Sequence, residues 1–431
     1  MALFGRKKQA AATVEQVDET ASDQEVPASS ASIGMAEYRA ELLAAIEPLR
    51  PIGLGVLDAF GRRLCEDIVS DIALPTFTSA ATGGYAVRAA DVASATPSDP
   101  VRLPVLDTLD SPAYRGAPLL ERTAIRVALG APVPEGADAV VALDRTDGGE
   151  SEVRVDASVA VGQHLRLAGS DIADGTLLLE RGRIVDAGAV GLLAEVGLDK
   201  VLVRQSPRVA VLTIGSDLVP PGLPLTSRLH RYDATSSLIA AGARADGAQV
   251  FAAGTLADDA AVILEALTDQ LIRADLVVVV GGLDGALPDV LERLGELRQR
   301  QVTVHPGGTH AFAVVGDDRT PVIALPAGVW PAFVGYHAFV RPALNRLQGE
   351  PNELPVSRVL PARVALHGQR GATELIPAVT TGRGVEPAGD LGADLARDVA
   401  RADALIVLPP GTDLVPANSD VEVWMLTPAR T

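Results

Sequence analysis

The sequence predicts a multidomain α/β protein, and three observations carry that prediction. Its 431 residues exceed what one hydrophobic core organises and suffice for three or four modules. Between residues 206 and 348, short continuous apolar runs alternate with helical periodicity. On either side lie short β runs broken by Gly and Pro. Hydrophobic residues make up 48% and charged residues 21%, a globular balance.

Residues 1–33 form a separate segment. After Arg6-Lys7-Lys8 an Ala/Glu/Asp/Ser-rich run carries no apolar periodicity. Such a composition does not offset the entropy of ordering, so a disordered, solubilising tail is expected. A helix is expected from Met35, with Tyr38, Leu42, Leu43 and Ile46 on one face and Pro48 and Pro51 closing it. A second helix is expected over Leu57–Leu64, then a strand at Ile72–Leu74. Between about 163 and 195 the chain returns to mixed structure, with a helix expected at Ala187–Val196. Residues 75–162 read as a β-rich insert, from the runs at Val101–Leu103, Ala124–Leu129, Ala139–Ala142 and Val153–Val155.

The segment 206–348 is the most legible. Val209–Ile214, Val250–Ala253, Leu276–Val280 and Pro321–Leu325 are strand-length apolar runs, with helices between them. Continuous apolar strands in strand–helix alternation imply a parallel, doubly wound sheet covered on both faces. Ligands in such sheets sit outside the strands' carboxyl ends. The loops 214–218, 281–289, 305–310 and 326–331 therefore become the candidate site. Residues 349–431 return to β character, ending in Ala404–Leu408 and Val421–Leu426.

Composition excludes several classes. A net charge of −18 excludes a general nucleic-acid surface. No apolar run reaches membrane-span length, and Met1–Lys8 lacks the order of a secretory signal. The single cysteine, Cys65, rules out an internal disulfide and fits a reducing compartment. The cytoplasm is the expected location.

From about 35 to 427 the chain resembles the MoeA family, which includes the E domain of gephyrin. Pro75-Thr-Phe-Thr-Ser-Ala-Ala-Thr-Gly-Gly-Tyr-Ala-Val87 matches a Pro…Phe…Ser-Ala-Met-Asp-Gly-Tyr-Ala-Val stretch, with Gly83 at the aspartate. Leu129-Gly-Ala-Pro-Val-Pro-Glu-Gly-Ala-Asp-Ala-Val-Val141 matches a Thr-Gly-Ala-Pro element. Arg166-Leu-Ala-Gly-Ser-Asp-Ile172 matches Arg-x-x-Gly-x-Asp-Ile. Thr213-Ile-Gly-Ser-Asp-Leu218 matches Ser-Thr-Gly-Asp-Glu-Leu. Val280-Gly-Gly-Leu-Asp-Gly-Ala-Leu-Pro-Asp289 matches a Thr-Gly-Gly-Val-Ser-Val-Gly-Asp-Tyr-Asp loop.

The resemblance implies an elongated homodimer with a linker region (34–74 and 163–205), a β-rich insert (75–162), a MogA-like molybdopterin-binding α/β domain (206–348) and a C-terminal β domain (349–431). It also implies a reaction: molybdate insertion into adenylylated molybdopterin, with Mg²⁺. Carried over residue by residue, Gly215, Ser216, Gly281, Gly282, Pro306, Gly307, Arg166 and Asp171 are candidate ligand-binding positions. Asp217, Asp284 and Asp289 are candidate catalytic carboxylates, with Asp217 and Asp289 toward a metal. Asp233 reads as a turn or helix-cap residue. Other family positions are replaced: the aspartates by Gly83 and Leu287, and the Lys-Pro-Gly-Lys lysines by His305 and Gly308. Leu325-Pro-Ala-Gly-Val329, followed by Trp330, replaces Leu-Pro-Gly-Asn-Pro.

Two readings follow. One is a molybdopterin molybdenumtransferase of molybdenum cofactor biosynthesis, with altered site chemistry. The other is a catalytically silent, gephyrin-like homodimeric scaffold that binds a peptide of a membrane or cell-division protein.

Overall fold

The computed structural model describes residues 32–109, 118–350, 354–389 and 396–426. The expected tail therefore lies outside the described residues, except at its end. There Ile33 is buried in a two-residue strand paired with Val302, so order begins before residue 34.

The central sheet is built from β1 (Arg208–Ile214), β2 (Gln249–Leu256) and β3 (Leu276–Val280), then β4 (Gly295–His305), β5 (Thr309–Val315) and β6 (Thr320–Leu325). Its order is β2-β1-β3-β6-β5-β4. The first four are parallel, as the alternation predicts. β5 and β4 are antiparallel additions, so the sheet is mixed. The cause is local: β4 and β5 form a hairpin through Pro306–Gly308, which reverses the chain, with no crossover to keep the two strands parallel. Because β5 starts where parallel β6 ends, that hairpin turn joins the strands' carboxyl edge.

Every residue of Leu276–Val280 is buried. Alternate residues serve different cores. Val278 and Val280 pack with Val209 and Val211 on one face, while Val277 and Val279 pack with Ala210 and Leu212 on the other. A strand buried on both faces has no room for a polar alternation, which is why these runs are uninterrupted. The helices α1 (Thr235–Ala245), α2 (Ala260–Leu271), α3 (Leu287–Leu294) and α4 (Val329–Gly335) cover the faces. Asp259 caps α2 by accepting from the Ala261 and Val262 N–H groups at 2.9 and 3.1 Å.

β4 continues the sheet into the C-terminal region through Val304 and His305, which pair with Thr373 and Glu374 of the strand Thr373–Thr381. The insert is a five-stranded sheet ordered Ala139–Ala142, Gly84–Val87, Ala124–Val127, Val101–Leu109, Glu152–Val155. An antiparallel pair of Pro51–Gly55 and Lys200–Arg204, with the helix Ala187–Glu195, forms the remaining region.

The expected helix at Leu57–Leu64 is not formed. Gly61 adopts φ 75°, and Arg63 and Leu64 are drawn into bridges with Ile184 and Val203. Long-range pairing outweighs local periodicity there. Ile72–Leu74 contributes a single bridge, Leu74 to Ile172, rather than a strand.

Candidate functional site

The carboxyl ends of β1, β3 and β6 open onto a cleft of about 350 Å³, lined among others by Thr213, Leu218, Arg231, Tyr232, Val329 and Trp330. Its lining mixes apolar and aromatic side chains with the polar groups of Thr213, Arg231, Tyr232 and Thr235, as small-molecule sites do.

Gly281 and Gly282 end β3 with φ of 84° and 73°. A Cβ on Gly281 would meet the Ile214 carbonyl oxygen at 2.6 Å, and one on Gly282 the Ile214 side chain at 2.8 Å. The glycine pair is thus required by the loop's close crossing over β1. The Gly281 N–H donates to the Leu325 carbonyl at 2.9 Å and the Gly215 N–H to that of Leu256 at 3.0 Å, so both are committed to the fold. Among the described residues, the N–H groups of Ser216 and Gly282 meet no protein acceptor and remain available to an anion.

Asp217 pairs with Arg231, Oδ2 to Nε at 2.6 Å, and its carbonyl accepts the Arg231 N–H at 3.0 Å. The pair sits at the mouth of the cleft and is largely exposed. Asp233 lies deeper, 2% exposed. It accepts from the hydroxyls of Thr213 (3.3 Å), Thr235 (3.1 Å) and Thr255 (3.2 Å) and from the Ser236 N–H (3.0 Å). Burial alone would raise its pKa, but these donors outweigh burial and hold it below the usual carboxylate range. It ties β1, β2 and the start of α1 together, in keeping with its reading as a turn and cap residue.

Asp284 is exposed in the turn after Gly282, and Asp289 is exposed in the first turn of α3, where a negative charge suits the helix dipole. Leu287 has gone the other way: it is fully buried in the core beneath α3. No three His, Cys, Asp or Glu side chains converge on a common point among the described residues. With Asp217 already paired to Arg231, these residues do not fit a protein-built cation site.

The hairpin turn His305–Gly308 borders the same edge. His305 Nδ1 lies 2.9 Å from Glu374 Oε1. The ring also meets Trp330 edge-on, centroids 5.8 Å apart. Trp330 in turn donates from Nε1 to the Leu375 carbonyl at 3.3 Å. The three residues fasten the turn, α4 and the C-terminal strand to one another. Glu374 is 6% exposed and its Oε2 is buried without a partner. Burial raises its pKa, against the lowering effect of His305. Gly307 and Gly308 have φ of 147° and 129°, values a lysine at 308 would reach only with strain.

Away from this edge, Arg166 and Asp171 form an exposed ion pair with each other. The Arg166 hydrogen bond holds the Asp171 carboxyl below its usual range. Gly83 precedes the insert strand Gly84–Val87. A Cβ there would touch nothing nearer than 3.8 Å, whereas one on Gly84 would lie 1.9 Å from the Val141 carbonyl oxygen. Arg231 and Tyr232 were not singled out from sequence, although they immediately precede Asp233. Glu374 had no sequence signal, because it reaches the site from 69 positions away.

A cleft at the strand ends of a doubly wound sheet, in a chain that also carries a small β insert and a C-terminal β region, defines a multidomain ligand-binding α/β protein. Three family models match its parts. The MoeA N-terminal region (domain I and II) matches residues 33–197, the probable molybdopterin binding domain 210–346, and the MoeA C-terminal region (domain IV) 359–426. The chain belongs to the MoeA family. Molybdopterin molybdenumtransferase 1 of Mycobacterium tuberculosis is 34% identical over 421 residues, covering 90% of this chain and 98% of the relative. Molybdopterin molybdenumtransferase 2 of that organism is 34% identical over 405 residues, covering 91% and 99%. The crystal structure of a molybdopterin biosynthesis MoeA protein from Pyrococcus horikosii superposes with a TM-score of 0.83 at 24% identity, covering 92% of this chain and all of that one. That likeness establishes the shared fold.

Proposed function

We propose that this protein acts in molybdenum cofactor biosynthesis by binding adenylylated molybdopterin in the strand-end cleft, as a molybdopterin molybdenumtransferase. The observation that carries this reading is the cleft itself. It lies where a doubly wound sheet receives ligands, and Tyr232, Trp330 and Arg231 line it with the flat apolar surface and the cation that a conjugated anionic ligand needs. The relatives at 34% identity bear the same activity in their names.

In this reading Ser216 and Gly282 offer N–H groups to phosphate oxygens, while Gly215, Gly281, Pro306 and Gly307 shape the floor and rim. Arg231 holds Asp217 at the mouth, and a phosphate entering there competes with Asp217 for the guanidinium. Asp284 and Asp289 stand on the solvent side, placed to meet cations carried in by the ligand. Mg²⁺ bound this way is held by substrate phosphates and water with at most one or two carboxylates, which needs no preformed cage. Molybdate enters as a substrate. Arg166 and Asp171, with the insert, would reach a cleft only across a homodimer, and we assign them to that interface. The protein is placed in the cytoplasm.

Calorimetric titration of the purified protein with adenylylated molybdopterin, Mg²⁺ and molybdate, followed by assay of released AMP, tests the reading. Micromolar binding lost on Trp330→Ala, with AMP release, supports it. Absence of binding beside a binding relative would overturn it and leave the peptide scaffold, which the relatives do not favour, as the reading to pursue.

A further inference from the structure

A second cleft, of about 300 Å³, lies where the antiparallel pair Pro51–Gly55/Lys200–Arg204 meets the α/β domain, on the side of β1 opposite the strand ends. Its lining is rich in arginine, in an otherwise acidic chain. Arg62, Arg63, Arg204 and Arg244 share it with one carboxylate, Glu350. The surrounding protein carries a net charge of −18, so four guanidiniums in one concavity concentrate positive potential against the general field.

The four are not equally occupied. Arg63 is spent: it pairs with Glu350 and donates to the Gly182 carbonyl. Arg204 is anchored by donating from one terminal nitrogen to the Leu49 carbonyl, yet its Nε–H is buried with no acceptor. A buried donor left unmatched costs free energy that an incoming acceptor recovers. Arg244 makes one long bond, 3.5 Å to the Val250 carbonyl. Arg62 makes no side-chain hydrogen bond or ion pair among the described residues. Glu350 thus neutralises Arg63 and leaves three cations without a carboxylate.

Guanidinium forks match phosphate oxygens, and three spread around one cavity exceed what a single phosphate satisfies. At the same opening Phe60 is 60% exposed and Ile184 49% exposed, an apolar rim against which a flat ring can rest. We propose that this cleft binds a nucleoside polyphosphate, its phosphates on Arg62, Arg204 and Arg244 and its base against Phe60. The lining residues come from two regions of the fold, so the bound ligand also ties the region of the Pro51–Gly55/Lys200–Arg204 pair to the α/β domain. This site is separate from the strand-end cleft and does not depend on the function proposed for it.

The test is calorimetric titration of the full chain with ATP, pyrophosphate and adenosine, each without divalent cation. Wild-type protein is expected to bind ATP best, pyrophosphate more weakly and adenosine weakest, with ATP affinity falling as salt rises. The double variant Arg62→Glu/Arg244→Glu, altering two partly exposed and weakly engaged side chains, is expected to lose at least about tenfold in ATP affinity at unchanged melting temperature. Phe60→Ala is expected to weaken ATP and leave pyrophosphate unchanged. Trp330→Ala, in the other cleft, is expected to leave ATP binding intact. No ATP binding by wild type at millimolar concentration overturns the proposal, as does ATP binding that survives the double charge reversal or vanishes with Trp330→Ala. Equal weakening of ATP and pyrophosphate by Phe60→Ala overturns the assignment of the base.

Discussion

The glycine-rich loop after β3 and the turn before the insert strand Gly84–Val87 both have, by family resemblance, a position where an aspartate has been replaced, and the two replacements differ physically. Leu287 has become part of the fold: fully buried, it fills the space between α3 and the sheet. Gly83 has taken no part in the packing, and a Cβ there would make only ordinary van der Waals contacts, none nearer than 3.8 Å. One carboxylate was absorbed into packing and the other simply removed. Loss of a functional group is therefore structurally committed at Leu287 and reversible at Gly83, a distinction the two substitutions do not reveal on their own.

The strongest way to break this contrast is Leu287→Asp. A carboxylate placed in that core has no donor to meet it, and a loss of at least about 3 kcal/mol is expected in urea unfolding. A loss below about 1 kcal/mol would show that α3 moves out to hydrate the side chain, and that Leu287 is not committed. Gly281→Ala should cost about 1–3 kcal/mol, because a Cβ at φ 84° runs into the Ile214 carbonyl. A neutral result would mean that the loop crossing β1 relaxes easily, and that its glycines serve a ligand more than the fold.

A third expectation concerns pH. His310 and His337 are buried, and burial lowers their pKa values from 6.5 to about 4 and about 3. Both bind a proton more readily unfolded than folded, so their contribution is intact above about pH 6.5 and is lost as pH falls toward those values. Asp233, also held low, adds a loss of the same sign beneath the usual carboxylate range, while Glu374, held high, opposes it. The urea midpoint should fall between pH 7 and 4.5. His310→Phe, which keeps a ring against Tyr38 and Phe339, should make that fall shallower; an unchanged slope would rule out His310 as a contributor.

The smallest effect is expected at the other pole of the comparison. Gly83→Asp should change stability by no more than about 0.5 kcal/mol, measured by the same unfolding. With stability unaltered, a gain in Mg²⁺-dependent AMP release would show that the missing insert carboxylate limits turnover.

Much of the architecture was legible before any coordinates. The parallel strands announced themselves because burial on both faces forbids polar interruption, as in Leu276-Val-Val-Val-Val280. Two loops that line the strand-end cleft, 214–218 and 326–331, were legible for the same reason, since the strand ends follow from the strands, whereas the segment 231–235 that also lines it was not. The helix expected at Leu57–Leu64 failed because its periodicity is local, while the bridges from Arg63 and Leu64 reach Ile184 and Val203 more than a hundred residues away. Of the hairpin built on β4 and β5 only the loop at 305–310 was anticipated, because β4 is exposed or half-buried along most of its length and carries no continuous apolar run.

The sequence alone thus determined the parallel core and the family to which the chain belongs. These rest on hydrophobic pattern and motif order, which each segment carries within itself. Only the tertiary structure decided which residues meet: Glu374 with His305, Arg231 with Asp217, and four arginines from distant segments in one cleft. Such encounters depend on the path of the whole chain, and a side chain's charge is compensated or left unmatched only by what that path brings beside it.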